Sequence, residues 1–331
     1  MHKKNPEENQ KINQPPTCWI VTEGIKGTEN QCIGVAEMLN VDPVVKTVSL
    51  NQPWLSLSPY LGFEMERTFS GDDLSPPYPD LLITGGRKAI AVSRYIRKKS
   101  NGRTKTLHML DPKISTRHFD LVAIPEHDKR RGKNVIVTKA TPNRVSVKTL
   151  QAGKIEFGSF SALPSPRIAV MIGGNSAVYD FDMNTAKKLV HDLKTLQGTH
   201  QASLMITMSR RTPTQIAQFI QEALQENDNV YIWDGEDPNP YFGFLAWADI
   251  ILVTADSTSM LSESCTTGKP TYMVPLKAKK RLGRIKTLQN NLIKHGGLRI
   301  FDGKIEQWRY KPLNDSQIVA NEVKKRLSEL F

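Results

Sequence analysis

Short apolar runs alternate with longer amphipathic stretches along most of the chain. The runs "CWIVT" (18–22), "VVKTVSL" (44–50), "DLLITGG" (80–86), "TKTLHML" (104–110) and "DLVAIP" (120–125) have strand length, and most end near Gly, Pro or Asp. That pattern predicts β-strands. Between them, "TENQCIGVAEML" (28–39) and "RKAIAVSRYIRKKS" (87–100) carry apolar residues at helical spacing. From Asn51 to Pro79 the alternation gives way to Pro, Ser and aromatic residues, an irregular loop with room for one helix. It lapses again from Thr141 to Pro166, where "FGSFSALPSPR" reads as a linker.

A second set then begins. Strands are predicted at "RIAVMIGG" (167–174), "ASLMITMS" (202–209), "NVYIWDG" (229–235), "DIILVTA" (249–255) and "PTYMVPL" (270–276). Helices are predicted at "NTAKKLVHDLKTLQ" (184–197), "TPTQIAQFIQEALQ" (212–225), "NPYFGFLAWA" (239–248) and "STSMLSESCTT" (257–267). A last helix from Asp315 sets Ile318, Val319, Val323, Leu327 and Leu330 near a 3.6-residue period. Alternation of this kind is the mark of the α/β class. Two α/β domains are expected, at 17–150 and 167–311, with a linker at 151–166 and parallel sheets facing across a cleft. The polar first 16 residues read as a disordered tail.

In open parallel sheets ligands bind beyond the carboxyl ends of the strands. In the first domain those positions hold Glu23, Gly24 and Gly27, then Gly86, Arg87 and Lys88, then Asp111, then Glu126 and His127. In the second they hold Gly173, Gly174 and Asn175, then Ser209 and Arg210, then Trp233, then Asp256 and Ser257. Paired glycines let backbone amides approach a ligand, and the following helix N-terminus favours an anion. Arg87 and Lys88 add full charges. Arg210 is the guanidinium expected to face a phosphate, Arg211 reads more as solvated surface, and Thr212 and Pro213 should start a helix. The bland alternative makes each feature a turn, a cap or a solvated charge.

The stretch Ile251–Pro270, "ILVTADSTSMLSESCTTGKP", has hydroxyls enough for a nucleophile. There is no G-x-S-x-G elbow, and of seven histidines only His127 falls at a strand end, which argues against a serine hydrolase. The stretch fits a cradle better. Asp256 or Ser257 caps a helix whose buried side carries Met260, Leu261, Ser264 and Cys265, with Ser259 and Glu263 on another face. Its amides suit a diphosphate, and Glu263, one turn deeper, could accept from ribose hydroxyls. His127 is a candidate general base. Neighbouring residues in "PEHD" point in alternating directions, so no metal is expected there.

Charge narrows the partners. The net charge is +12 over 331 residues, which favours an anionic partner. "KAKKRLGRIK" (Lys277–Lys286) has six basic residues in ten, a solvated loop or a contact for phosphates and anionic membranes. No Walker A, G-x-G-x-x-G or RNA-binding signature occurs, so nucleic acid is not expected. Three dispersed cysteines without CxxC indicate neither zinc nor disulfides. The longest apolar stretch, Phe242–Ala255, is 14 residues and too short to span a bilayer. A cytoplasmic protein is expected, with peripheral contact at the inner face of a membrane compatible with its charge.

"TEGIKGTENQCIGVAEML", "GGRK", "DLVAIPEHD", "GGNSAVY", "SRRTP" and "NPYFGFLAWADIILVTADSTSMLSESCTTGKP" together resemble the mitochondrial-fission "elongated mitochondria" family, over about residues 17–310. Glu23 stands where that family is expected to carry Asp. The resemblance implies a GT-B-like fold of two Rossmann-like domains, with the helix at 312–331 able to cross back to the first domain. In that superfold the second domain holds a nucleotide-diphosphate-sugar, here through Gly173, Gly174, Asn175, Ser209, Arg210, Ser257, Ser259 and Glu263. Acceptor and base work would fall to Glu23, Lys88, Asp111, Glu126 and His127, with no cofactor or metal required. The function implied is a glycosyltransferase or sugar-nucleotide epimerase. The alternative is a non-catalytic membrane-surface adaptor recruiting a dynamin-type GTPase, as in the plant members.

Overall fold

Each strand expected in the first half forms and ends within a residue or two of its sequence boundary. The computed structural model describes residues 15–225, 227–236 and 238–331, so the expected tail lies outside the described residues except for Pro15 and Pro16. The chain divides into two compact units, one running up to Arg144 and resuming at Asn314–Phe331, the other Val145–Leu313.

In the first unit the elements run β1 (Cys18–Thr22), α1 (Lys26–Leu39), β2 (Pro43–Leu50), a one-turn α2 (Trp54–Leu57), β3 (Phe69–Gly71) and β4 (Leu81–Gly85). They continue with α3 (Ala89–Lys99), β5 (Lys105–Met109), β6 (Leu121–Pro125) and β7 (Val135–Thr138). The sheet order is β3-β2-β1-β4-β5-β6-β7. All neighbours are parallel except β3, which pairs antiparallel with β2 at the edge, a departure from the purely parallel sheet expected. β4 and β6 are buried along their whole length, as strands covered on both faces must be. α1 ends on Asn40 in the left-handed conformation, whose amide reaches back to Ala36 and Glu37.

The second unit opens with α4 (Val147–Glu156), which starts inside the stretch expected to close the first domain and runs into the first part of the expected linker, 151–166. Ser146 caps it, accepting from the Thr149 amide at 3.1 Å. Then come β8 (Arg167–Ile172), β9 (Tyr179–Asp180), α5 (Met183–His200), β10 (Ser203–Met208), α6 (Thr214–Leu224) and β11 (Val230–Ile232). They are followed by α7 (Tyr241–Trp247), β12 (Ile250–Thr254), α8 (Thr258–Thr266), β13 (Thr271–Val274), β14 (Lys277–Ala278), α9 (Arg284–His295) and β15 (Leu298–Ile300). Six strands make an all-parallel sheet, β11-β10-β8-β12-β13-β15, while β9 and β14 pair as a small antiparallel ribbon.

The last helix, α10 (Asp315–Arg326), belongs to the first unit. Val319, Ala320, Val323 and Leu327 join Cys32, Val35, Ala36 and Leu39 of α1 in one core with Ile20, Leu81, Leu107 and Ile136 of the sheet. The Asp315 carboxylate accepts from the amides of Lys139 and Ala140 at 2.8 and 3.0 Å, which fixes where the helix starts.

Both sheets reverse their chain order at one place, between β1 and β4 in the first and between β8 and β12 in the second. Such switch points leave a crevice at the carboxyl ends of the strands.

Candidate functional site

At the second switch point the loops after β8, β10 and β12 are tied into one network. The carboxylate of Asp256, after β12, accepts from the Gly174 amide at 3.0 Å and from the Thr254 hydroxyl at 2.7 Å. It also pairs with Arg211, after β10, at 2.7 Å. The Gly173 amide donates to Thr254 Oγ1 at 2.7 Å, the Asn175 amide donates to the Arg211 carbonyl at 3.1 Å, and the Thr212 hydroxyl donates to the Gly173 carbonyl. Thr212 thus joins the loops together and leaves the start of α6, where it was expected as cap, to Pro213.

The glycine pair is needed for this packing. A Cβ on Gly173 would lie 2.3 Å from the Asp256 carboxylate, and one on Gly174 would lie 2.1 Å from the Arg211 carbonyl. Their amides, expected to face a ligand, point instead to Thr254 and Asp256. Both adjacent arginines are exposed. Arg211, read as solvated surface, is nevertheless anchored to Asp256, whereas Arg210 makes no ion pair among the described residues and stays open to an anion. Ser209 accepts the Arg211 amide at 3.2 Å. Trp233 sits apart at the edge strand, its indole donating to the Glu236 carbonyl at 2.5 Å.

Ser257 caps α8, accepting from the Met260 amide at 3.4 Å, so the first-turn amides of a nine-residue helix open at the switch point. Ser259 is half-buried in that turn. Glu263 does not share an open face with it. The residue is only 7% exposed and its carboxylate accepts from the hydroxyl of Tyr241, on α7. Burial raises the Glu263 pKa, with the Tyr241 hydrogen bond opposing. Burial and the neighbouring carboxylate push the Tyr241 phenol well above its ordinary value.

Two further residues support these loops without having drawn attention in the sequence. Gln289 of α9 is buried and donates to the Ala255 carbonyl at 3.0 Å and the Tyr179 hydroxyl at 2.9 Å, pinning the chain just before Asp256. Lys269, after α8, places its ammonium on the carbonyls of Leu245 and Ala246 at 2.8 and 2.6 Å, closing the C-terminus of α7. A Gln inside a basic helix and a Lys before a Pro carry no signal in one sequence.

The first switch point has a related arrangement. Glu23, after β1, accepts from the Lys88 amide at 3.2 Å and pairs with its ammonium at 2.9 Å. Gly86 adopts φ +88° beside that carboxylate, a conformation that favours glycine. Gly24, at φ +78°, donates to Thr22 Oγ1 at 3.1 Å, and Gly27 lies in the first turn of α1. Arg87 is exposed. In each unit a glycine pair meets a carboxylate across the switch point, with the strands exchanged: carboxylate after β1 and glycines after β4, then glycines after β8 and carboxylate after β12.

Asp111, Glu126 and His127 follow β5 and β6, further along the same edge. Asp111 is bound by Lys113 at 2.5 Å and Arg130 at 2.7 Å. Burial pushes its pKa up, but the hydrogen bonds from these two cations outweigh it and hold the carboxyl below its usual range. A carboxylate held by two cations is a poor general base. Glu126 is exposed, with its carbonyl accepting from Arg131 at 3.2 Å, and His127 is half-buried beside Asp128. Among the described residues no three His, Cys, Asp or Glu side chains gather as a metal site, and no helix is long and apolar enough to cross a membrane.

Two α/β units with Rossmann strand order and loaded switch points define the GT-B fold class, and solved structures bear that out. The UDP-GlcNAc 2-epimerase from Methanocaldococcus jannaschii superposes with a TM-score of 0.57 at 11% identity, covering 94% of this chain and 99% of that one. A complex of the M. jannaschii enzyme with UDP-GlcNAc and UDP gives a TM-score of 0.55 at 14% identity, with the same coverage. The family model for mitochondrial fission ELM1 matches residues 26–327, and the chain belongs to that family. The mitochondrial fission protein ELM1 of Arabidopsis thaliana is 32% identical over 277 residues, which is 76% of this chain and 64% of that protein. The match therefore spans less than two thirds of that relative's length. An uncharacterised protein of Rickettsia prowazekii is 26% identical over 92% of this chain and 97% of its own length.

Proposed function

We propose that this chain binds a nucleotide-diphosphate-sugar at the strand ends of its second unit and works as a glycosyltransferase-type or sugar-nucleotide enzyme. The observation that carries the reading is the meeting of the Asp256-anchored Arg211 with the capped N-terminus of α8 at the switch point. Helix amides and guanidinium forks are the two groups best matched to a diphosphate. Arg210 and Arg211 would hold its oxygens and steady the charge of a leaving nucleoside diphosphate, with no metal required. Glu263 would take the ribose hydroxyls in place of the Tyr241 hydroxyl. In the first unit Lys88, oriented by Glu23, offers an anion contact on the acceptor side, and His127 is the remaining candidate base there.

One observation favours the adaptor reading instead. The amides of Gly173 and Gly174 and the carboxylates of Asp256 and Glu263 all have protein partners, as they would in a scaffold whose ligand chemistry has lapsed.

Thermal unfolding with UDP, other nucleoside diphosphates and their sugar conjugates decides between the two. A ligand at about a hundred times its dissociation constant stabilises by about 2.7 kcal/mol. For a chain of this size that is a rise of several degrees. A rise with one nucleotide, lost in Arg211→Ala and Glu263→Ala, supports the enzyme class. No rise with any of them overturns it in favour of the adaptor.

A further inference from the structure

The loop between β2 and β3 turns large apolar side chains outward while its backbone is fastened inward. Tyr60 is 75% exposed and Phe63 78%, with Leu57 and Met65 also exposed. Side chains of this size concentrated in one short loop are unusual on a soluble surface and mark a place of contact.

Mobility does not account for the exposure. Arg94 of α3 donates to the Pro59 carbonyl at 2.8 Å and the Leu61 carbonyl at 2.6 Å, and it pairs with the carboxylate of Glu64. The Trp54 indole donates to the Phe63 carbonyl at 3.1 Å, and the Ser58 hydroxyl donates to the Arg87 carbonyl at 3.2 Å. Trp54 is buried with Leu50 and Ala91, and Leu55 and Leu61 pack on that cluster. The loop thus uses Trp54, Leu55 and Leu61 as its footing and presents Leu57, Tyr60, Phe63 and Met65 as its outer edge.

We propose that this edge docks on the surface of an anionic lipid bilayer, with Tyr60 and Phe63 entering the headgroup region. A ring or aliphatic chain on a rigid protruding loop gains apolar burial there, and aromatic residues favour that depth. Charge selects the lipid. Arg67 within the loop and Arg87, whose carbonyl accepts from Ser58 of the loop, are both exposed, neither makes an ion pair among the described residues, and the chain as a whole carries +12. Cations beside an apolar edge are drawn to anionic headgroups. The exposed Glu66 lines the cavity formed with Tyr78 and Tyr95. This inference does not depend on the nucleotide reading.

The test uses co-sedimentation of the full chain with vesicles of phosphatidylcholine mixed with phosphatidylglycerol, and with phosphatidylcholine alone. Binding to the mixed vesicles is expected, weakened about tenfold or more in the double variant Tyr60→Ser, Phe63→Ser. Both positions are exposed, so an unchanged melting temperature confirms that the variant is folded. In Phe63→Trp, the added emission should be quenched by lipids brominated along their acyl chains. Equal binding by the double variant would overturn the proposal, because cations such as Lys277–Lys286 would then be holding the vesicle. Absence of vesicle binding overturns it too, as does a concentration-dependent dimer abolished by the double variant, which would make the loop's occupant a second copy of the chain.

Discussion

Arg211 and Asp256 hold each other at 2.7 Å across the ends of β10 and β12, the carboxylate wholly buried and the guanidinium partly in solvent. Losing the arginine leaves a buried charge with only the Gly174 amide and the Thr254 hydroxyl for company. Because solvent already screens the guanidinium side of the pair, the loss is smaller than for a fully buried pair, about 1–3 kcal/mol. Asp256→Asn removes the charge but keeps an acceptor, and Arg211 can turn to water. Melting temperatures should therefore fall in the order wild type, Asp256→Asn, Arg211→Ala. The reverse order of the two variants would mean that the amide and hydroxyl alone sustain the carboxylate.

Glu263 gives a pH signature. Burial raises its pKa in the folded state, so the folded chain holds this proton more tightly than the unfolded one. Stability from that difference is present below the ordinary glutamate value and is lost as pH rises through the raised value. Glu263→Gln cannot ionise and can still accept from Tyr241. Calorimetry should find the variant gaining on wild type as pH rises through this window. A constant gap would show that the carboxylate is not desolvated.

His108 acts in the opposite direction at acid pH. It is buried against Phe119, with Thr84 Oγ1 at 2.9 Å from Nδ1, and burial lowers its pKa to about 3. Between about 6.5, the ordinary value, and 3 the unfolded chain takes a proton that the folded chain refuses. Stability should drain away as pH falls through that range, and less so in His108→Gln. Its ring resonances should report a neutral imidazole at pH values where exposed histidines are charged.

Lys269 extends the pattern to alkaline conditions. Burial lowers its pKa to about 8, against about 10.4 for a free lysine, so the folded state sheds this proton first. Stability should rise between those two values, and Lys269→Met should lose the rise along with the Leu245 and Ala246 hydrogen bonds. Thermal melts across that range settle it.

The strand ends were legible because a polar residue follows an apolar run at nearly every one, from Glu23 to Asp256. What escaped was whatever packs without an apolar signature. α4 passed for a linker because Val147 and Ile155 face outward and its buried contact is Gly153, where a Cβ would lie 2.8 Å from the Phe242 backbone. α9 was hidden in a basic run, with Leu288 and Leu292 as its only buried apolar residues. Among the site residues, spacing could not say which of two adjacent arginines would pair with Asp256. Nor could it join Tyr241 to Glu263 from different helices.

The return of α10 to the first unit bears on how the chain is made. A ribosome completes residues 145–313 before it reaches the helix that walls the core around Cys32, Val35 and Leu107. The second unit is one unbroken segment, while the first keeps one side of its core uncovered until Val319, Val323 and Leu327 have been made. The part translated earliest is therefore the part finished last.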